Sequence, residues 1–350
     1  MVALATDAGR IVGSEGHAQA VATLEGWLQA RGLRPYRGRQ PSPAEGPPPP
    51  GSAGYRLPYR NGVMRGVNLA GVVPGRDATL PPLLLLAHYD SVLSAPCADD
   101  NAAAVAICLE VATTVAQGAS PQLSRDLVVV LCDAEEPPYT GTDSMGSIAF
   151  YREQMDHRGA HVVVVQDLTG HQVGLPVGGR ELRLPLLRSL VFAMGLESHP
   201  ALPAVLADLR WGRALRLVAA PNRHVGDVSD HLMFRRQGLP YLFFSCGRWP
   251  HYHQPTDTPD RLDYRKMARL ARYLTELTGR LDATALPTAG PVGAAGPPSY
   301  EESSIDLELK WMRRAFGPYL PLLLRRAGVA ALRCRGDLDR IAKLLVGGGL

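Results

Sequence analysis

Four short runs dominated by apolar residues, Leu83–Ala87, Asp126–Cys132, His161–Gln166 and Tyr241–Phe244, punctuate the chain. Each is too short for a helix and rich in Val, Leu and Phe, so each predicts a buried strand. Between them, Ala102–Gln117, Ser147–Met155 and Tyr264–Leu281 read as helices. The alternation of strand and helix predicts an α/β fold, a three-layer sandwich around a central mixed, largely parallel sheet. Ser14–Gly32 predicts an opening helix, with Ser14 as its cap, Val21, Leu24 and Leu28 on one face, and Gly32 as its stop.

The punctuation between these elements sets the expected organisation. Residues 41–51, PSPAEGPPPPG, can form neither regular element, because proline fixes φ and removes donors, and they predict a surface loop. Pro176–Asn222 reads as an insert. From 282 to 304 the chain turns Ala/Gly/Pro-rich and reads as a linker. Ile305–Phe316 and Leu320–Leu345 then read as amphipathic helices. The expected division is a catalytic domain over 1–281, a linker over 282–304 and an appended helical segment over 305–350.

Composition narrows the class. The chain has 350 residues and a formal charge of +4, and all but Lys266, Lys310 and Lys343 of its 37 basic residues are arginines. They are scattered over the whole length rather than gathered on one face or tail, which argues against nucleic-acid binding. No apolar run approaches the roughly 20 residues of a membrane span, and no signal peptide is visible at the N-terminus. Five cysteines without a CxxC pair fit a reduced, cytoplasmic enzyme. Nothing in the sequence fixes an oligomeric state.

Candidate chemistry lies where the strands end. His88 and Asp90 follow the first run, and Asp99-Asp100-Asn101 opens the next helix. Glu135-Glu136 follows the second run, Asp167 the third, and His253 lies in the loop HYHQPTDT after the fourth. In open α/β sheets ligands collect at the carboxyl ends of the strands. Two histidines and several carboxylates suit zinc, at about 2.0–2.2 Å. Two ions roughly 3.5–4 Å apart can polarise a carbonyl and a shared water. A neighbouring carboxylate must then carry the water's proton to the leaving nitrogen, and adjacent Glu135 and Glu136 offer one side chain for metal and one for water. Any one of these residues alone has an ordinary structural explanation. Five of them meeting on one sheet edge do not.

Taken together, AHYDSV (87–92), CADDNAAAVA (97–106), LCDAEE (131–136), MGSIAFY (145–151), QDLTG (166–170), SDHLMF (229–234) and PHYHQPTDTPDRLD (250–263) resemble the two-zinc aminopeptidase family. Bacterial leucine aminopeptidases are its best-known members, and glutaminyl cyclases are close relatives. The resemblance covers roughly residues 10–280. It implies a zinc-exopeptidase-like fold and two zinc ions bridged by Asp100. His88 and Asp167 would complete one site, and Glu136 and His253 the other. It also implies Glu135 as general base and later acid, Asp90 as the acceptor that orients His88, and Tyr252 as an oxyanion stabiliser. Asp257 and Asp260 would be structural or outer supports. Cys97, Ala103 and Ala104 depart from the family's usual pattern, and the loop 137–145 is longer than in the simple aminopeptidases.

The leading expectation is therefore hydrolysis of an amide or peptide bond in a small substrate, most simply release of an N-terminal amino acid. A glutaminyl cyclase-like aminoacyl transfer is the first alternative, although Tyr252 stands where those enzymes have Trp. An amidase or deacylase acting on a small specialised metabolite is another, and a metal-free scaffold on the same fold a third. Tyr139, Met145, Phe234 and Trp249 are candidate pocket residues, with ordinary packing as the competing explanation.

Overall fold

A computed structural model describes residues 1–38, 54–118, 122–177, 180–182, 187–208, 215–286 and 305–346. Eleven strands lie among the described residues: β1 (Arg34–Pro35), β2 (Arg56–Asn61), β3 (Met64–Val73), β4 (Leu83–His88), β5 (Leu127–Cys132), β6 (Val162–Gln166), β7 (Leu175–Val177), β8 (Arg180–Leu182), β9 (Leu190–Met194), β10 (Arg216–Ala220) and β11 (Tyr241–Ser245). Nine build one sheet in the order β1-β3-β5-β4-β6-β11-β9-β10, with β2 paired to β3, and β7 and β8 form a separate hairpin. The centre, β5-β4-β6-β11, is parallel, while β3 against β5 and β11 against β9 are antiparallel. The mixed, largely parallel sheet is thus present, with helices flanking it.

The four apolar runs are these four central strands, and every residue of each is buried. Burial on both faces is why they lack the alternation of a half-exposed strand. The helices α1 (Glu15–Ala30), α2 (Ala103–Ala116) and α6 (Tyr264–Ala283) follow the 3.6-residue period. Ser14 caps α1 by accepting the His17 N–H at 3.1 Å, and Val21, Leu24 and Leu28 are buried. Asp263 caps α6, which turns Met267, Leu270, Leu274, Leu277 and Leu281 inward and lies against α2. The expected helix near 147–155 is a short α3 (Gly146–Ala149) that continues as a widened turn through Gln154.

Three features depart from the expected elements. The β2–β3 hairpin, whose two-residue turn Gly62-Val63 follows Asn61, is additional to them. Asn-Gly between two extended runs was the available signal. The supposed insert is part of the main sheet. Two of its strands, β9 and β10, flank α4 (Leu202–Asp208) and extend the sheet beyond β11. Finally, 320–345 is two helices, α8 (Leu320–Arg326) and α9 (Arg335–Val346). Gly328, at φ +64°, donates to the Arg325 carbonyl and Val329 to that of Leu324, a glycine-terminated end that stops α8.

Helix α7 (Ile305–Phe316) lies against β10, and its Leu309, Met312 and Phe316 belong to the same hydrophobic core as the central strands. The expected loop over 41–51 and most of the expected linker lie outside the described residues. Among the described residues no helix is long and apolar enough to cross a membrane. The fold's consequence for function is register. His88 pairs with Cys132, and Phe244 with Gln166, so the parallel strands end level and the chain leaves each of them at one edge.

Candidate metal centre

At that edge four non-glycine residues adopt left-handed backbone: Cys97 (φ 39°), Ala134 (φ 52°), Leu168 (φ 53°) and His253 (φ 54°). Such a conformation is costly for a residue with a Cβ, and it persists where surrounding structure dictates it. Each lies in a segment that delivers a candidate ligand. Cys97 precedes Asp100, Ala134 precedes Glu135 and Glu136, Leu168 follows Asp167, and His253 is itself a candidate.

The side chains converge. His88 Nε2 lies 3.3 Å from Asp100 Oδ1, 3.6 Å from Asp167 Oδ1 and 3.8 Å from Glu135 Oε2. His253 Nε2 lies 3.3 Å from Asp100 Oδ2 and 3.1 Å from Glu136 Oε2. Two groups able to hold an ion follow, His88-Asp100-Asp167 and Asp100-Glu136-His253, and they share Asp100 through its two different oxygens. A third overlapping group is His88-Glu135-Glu136. The floor is closed to water, with His88 1% and Asp100 3% exposed, whereas the His253 side chain is 26% exposed and marks the open side.

Several buried polar atoms here have no hydrogen-bond partner: His88 Nδ1 and Nε2, Asp100 Oδ2, Glu136 Oε1, Asp167 Oδ1 and His253 Nε2. Buried polar atoms without partners cost free energy, and their gathering at one point is what a cation-holding cavity requires. Imidazole and carboxylate donors in this ratio fit zinc, so the residues present fit the group the sequence suggests.

Burial and neighbouring charge set the proton affinities. Burial pushes the Glu135 carboxyl well up, Asp167 and Glu136 add to that, and His88 opposes it. Glu136 is raised to about 8, first by burial and then by Asp100. Burial would raise Asp100 too, but the neighbouring His253 and His88 outweigh it and hold it below the usual carboxylate range. His253 rises to about 9, since Asp100 and Glu136 overcome its desolvation. Pairs of titratable groups driven apart in this way mark functional sites.

A set of supports holds the loops. Asp90 accepts the backbone N–H of Glu135 at 3.0 Å and of Glu136 at 3.1 Å, while its Oδ1 lies 3.4 Å from His88 Nδ1. It therefore fixes the two glutamates as well as facing the histidine. Asp257 accepts from the N–H groups of Asp99 and Asp100, and Asp260 is exposed. Asp99 points away from the centre and accepts from His171 and from the Gly170 N–H. A Cβ at Gly170 would stand 2.7 Å from that carboxylate, so glycine permits the approach.

Sequence reasoning missed the buried Arg10, whose guanidinium donates to the carbonyls of Leu4, Tyr89, Pro96, Cys97 and Asp100. It also missed the Asp133–His17 pair at 2.8 Å, and Asp230, a wholly buried carboxyl raised to about 7 by burial at the start of α5 (His231–Arg236). No local pattern marks Arg10; only the topology brings the opening segment under the Asp100 turn.

The other candidates divide. The Tyr252 ring stacks on that of His253 at 3.7 Å, half-buried at the open side. Tyr139 is partly exposed in the loop after Glu136. Met145 and Phe234 have no exposed surface, Met145 packing with Ile148, Leu232 and Met233, and Phe234 lying in the main core. Trp249 is 7% exposed, its ring stacked on His171 at 4.8 Å. These last three are placed as packing groups.

Residues 68–278 match Peptidase family M28. The chain belongs to that family. A curated relative, the uncharacterized protein YfbL of Escherichia coli K12, is 29% identical over 242 residues, spanning 63% of this chain and 73% of its own. Two solved structures share the fold. Porphyromonas gingivalis glutaminyl cyclase superposes with a TM-score of 0.58 at 18% identity, over 79% of this chain and 93% of its own. A Zn-dependent exopeptidase from Parabacteroides distasonis superposes with a TM-score of 0.55 at 15% identity, over 79% and 97%.

Proposed function

We propose that this member of peptidase family M28 is a zinc-dependent hydrolase of amide or peptide bonds that releases an N-terminal amino acid from a small substrate. One observation carries the reading. Asp100 presents one oxygen to the His88-Asp167 group and the other to the Glu136-His253 group, the arrangement expected of a carboxylate shared by two ions. The likeness to a Zn-dependent exopeptidase supports zinc as the metal.

Five residues would hold the zinc: His88, Asp100 and Asp167 on one side, and Asp100, Glu136 and His253 on the other. Zinc bound there would polarise the scissile carbonyl and offset the charge that develops on its oxygen. Glu135 is the group left for proton traffic. It is buried, its proton affinity is raised, and Asp90 fixes its backbone. It takes the proton of the attacking water and delivers it to the leaving nitrogen. Tyr252, on the open side beside His253, directs its hydroxyl to the developing oxyanion. A reducing, cytoplasmic setting belongs to the same reading, supported by five free cysteines, four of them buried.

Dialysis against a chelator followed by zinc titration tests the metal, and two equivalents per chain are expected by elemental analysis. A zinc-loaded preparation offered aminoacyl anilides, N-acyl amino acids and glutaminyl peptides tests the reaction. Free amino acid released from anilides supports the proposal. Pyroglutamyl products alone would replace it with cyclase chemistry, and hydrolysis of the N-acyl amino acids alone with a deacylase.

A further inference from the structure

Arg248 is an exposed guanidinium beside the centre, and the mechanism above gives it no task. It lies over the Tyr252 ring at 4.8 Å, and that ring stacks on His253. Its backbone is anchored on both sides. Gly247, at φ +80°, donates to Ser245 Oγ at 3.0 Å, and Trp249 is buried against His171 and accepts the Tyr252 N–H at 3.0 Å. Among the described residues Arg248 forms no ion pair. The acids of the floor face His88 and His253 rather than this cation.

Contact with a ring face uses the plane of a guanidinium and leaves its edge donors free, and that edge matches a carboxylate bidentately. Arg248 and His253 both contact the Tyr252 ring. The anion within reach of Arg248 therefore belongs to the residue flanking the scissile amide, not to the far end of a long chain. We propose that Arg248 anchors a free carboxylate on the departing amino acid, so that the preferred substrates are dipeptides. The proposal rests on the amide-hydrolase reading above and names its substrate class.

The test uses the zinc-loaded full-length protein and a matched pair, leucylglycine and leucylglycinamide, which differ in the terminal carboxylate. The wild type is expected to favour leucylglycine in kcat/KM by about tenfold, the lower end of what a hydrogen bond to a charged group contributes. Arg248→Gln is expected to bring that ratio close to one, mainly through KM for leucylglycine, and Arg248→Lys to restore part of it as a point charge. Added salt should shrink the wild-type ratio, because the contact is exposed.

Equal wild-type rates for the two peptides overturn the anchor. So does a ratio unchanged in Arg248→Gln, and an equal fall in kcat on both peptides would make Arg248 a prop for Tyr252 instead. If the wild type cleaves neither peptide, the peptidase reading falls, and the intact peptides are then compared as ligands by calorimetry. Equal dissociation constants there overturn the anchor, and a preference for leucylglycine that Arg248→Gln removes upholds it.

Discussion

The edge of the sheet that carries the metal-competent residues and the far side built by β9, β10 and α7 obey opposite rules. At the edge, residue identity carries the information, and the backbone bends to serve it. Left-handed φ values at Cys97, Ala134, Leu168 and His253 cost of order 1–3 kcal/mol each, and several buried polar atoms lack partners. Among the described residues of the far side, β9 and β10 contain no left-handed residue, and Leu190, Leu217 and Phe316 are fully buried. One region holds function at a cost in stability, and the other supplies stability. A chain can keep a strained, polar cavity only if such a core overdetermines it.

The largest test of this contrast is Glu135→Gln. It removes the proton carrier without removing a group of either Asp100-sharing set, so turnover should fall about 10³-fold or more while zinc content and thermal midpoint stay close to wild type. Wild-type turnover in that variant would take Glu135 out of the proton role.

Next is Phe316→Ala on α7, far along the sheet from the centre. Truncating a fully buried phenylalanine should cost about 3–5 kcal/mol in urea unfolding, with kcat/KM of the folded protein unchanged. A large activity loss with little change in stability would instead couple α7 to the centre.

The smallest effect probes the joint between the regions, at His231, which stacks on Phe243 of β11 at 4.4 Å and faces the Gly226 carbonyl at 3.0 Å. Burial lowers its pKa to about 4, so between there and the ordinary value of 6.5 the unfolded chain binds the extra proton. Stability should therefore fall as pH drops through that window, by up to about 3 kcal/mol. In metal-free protein a His231→Gln variant should show a flatter acid limb than the wild type. An unchanged slope would mean that His231 does not contribute to it.

Legibility followed the same division. Leu83–Ala87 and Asp126–Cys132 were readable as strands because burial on both faces leaves an unbroken apolar run. His88, Asp100, Glu135, Glu136, Asp167 and His253 were readable because charge directly after such a run is conspicuous. Strands β9 and β10 hid in a stretch read as an insert, because five residues of apolar sequence have no period that separates strand from buried helix. Helix α8 was read through its end, since Gly328 is punctuation only once its backbone turns left-handed. Phe234 and Met145 looked like pocket residues and are sealed in cores, because exposure belongs to the assembled fold and not to residue type.

By itself the sequence determined which side chains could do chemistry and which segments must be buried, since hydrophobicity and ligand type are properties of residues. Only the tertiary structure decided that the two oxygens of Asp100 face two histidines 165 residues apart in the chain, that Asp90 holds both glutamates, and that Arg10 braces the Asp100 turn from beneath. Those are relations between distant segments, set by strand register and chain crossover. No local pattern encodes a distance.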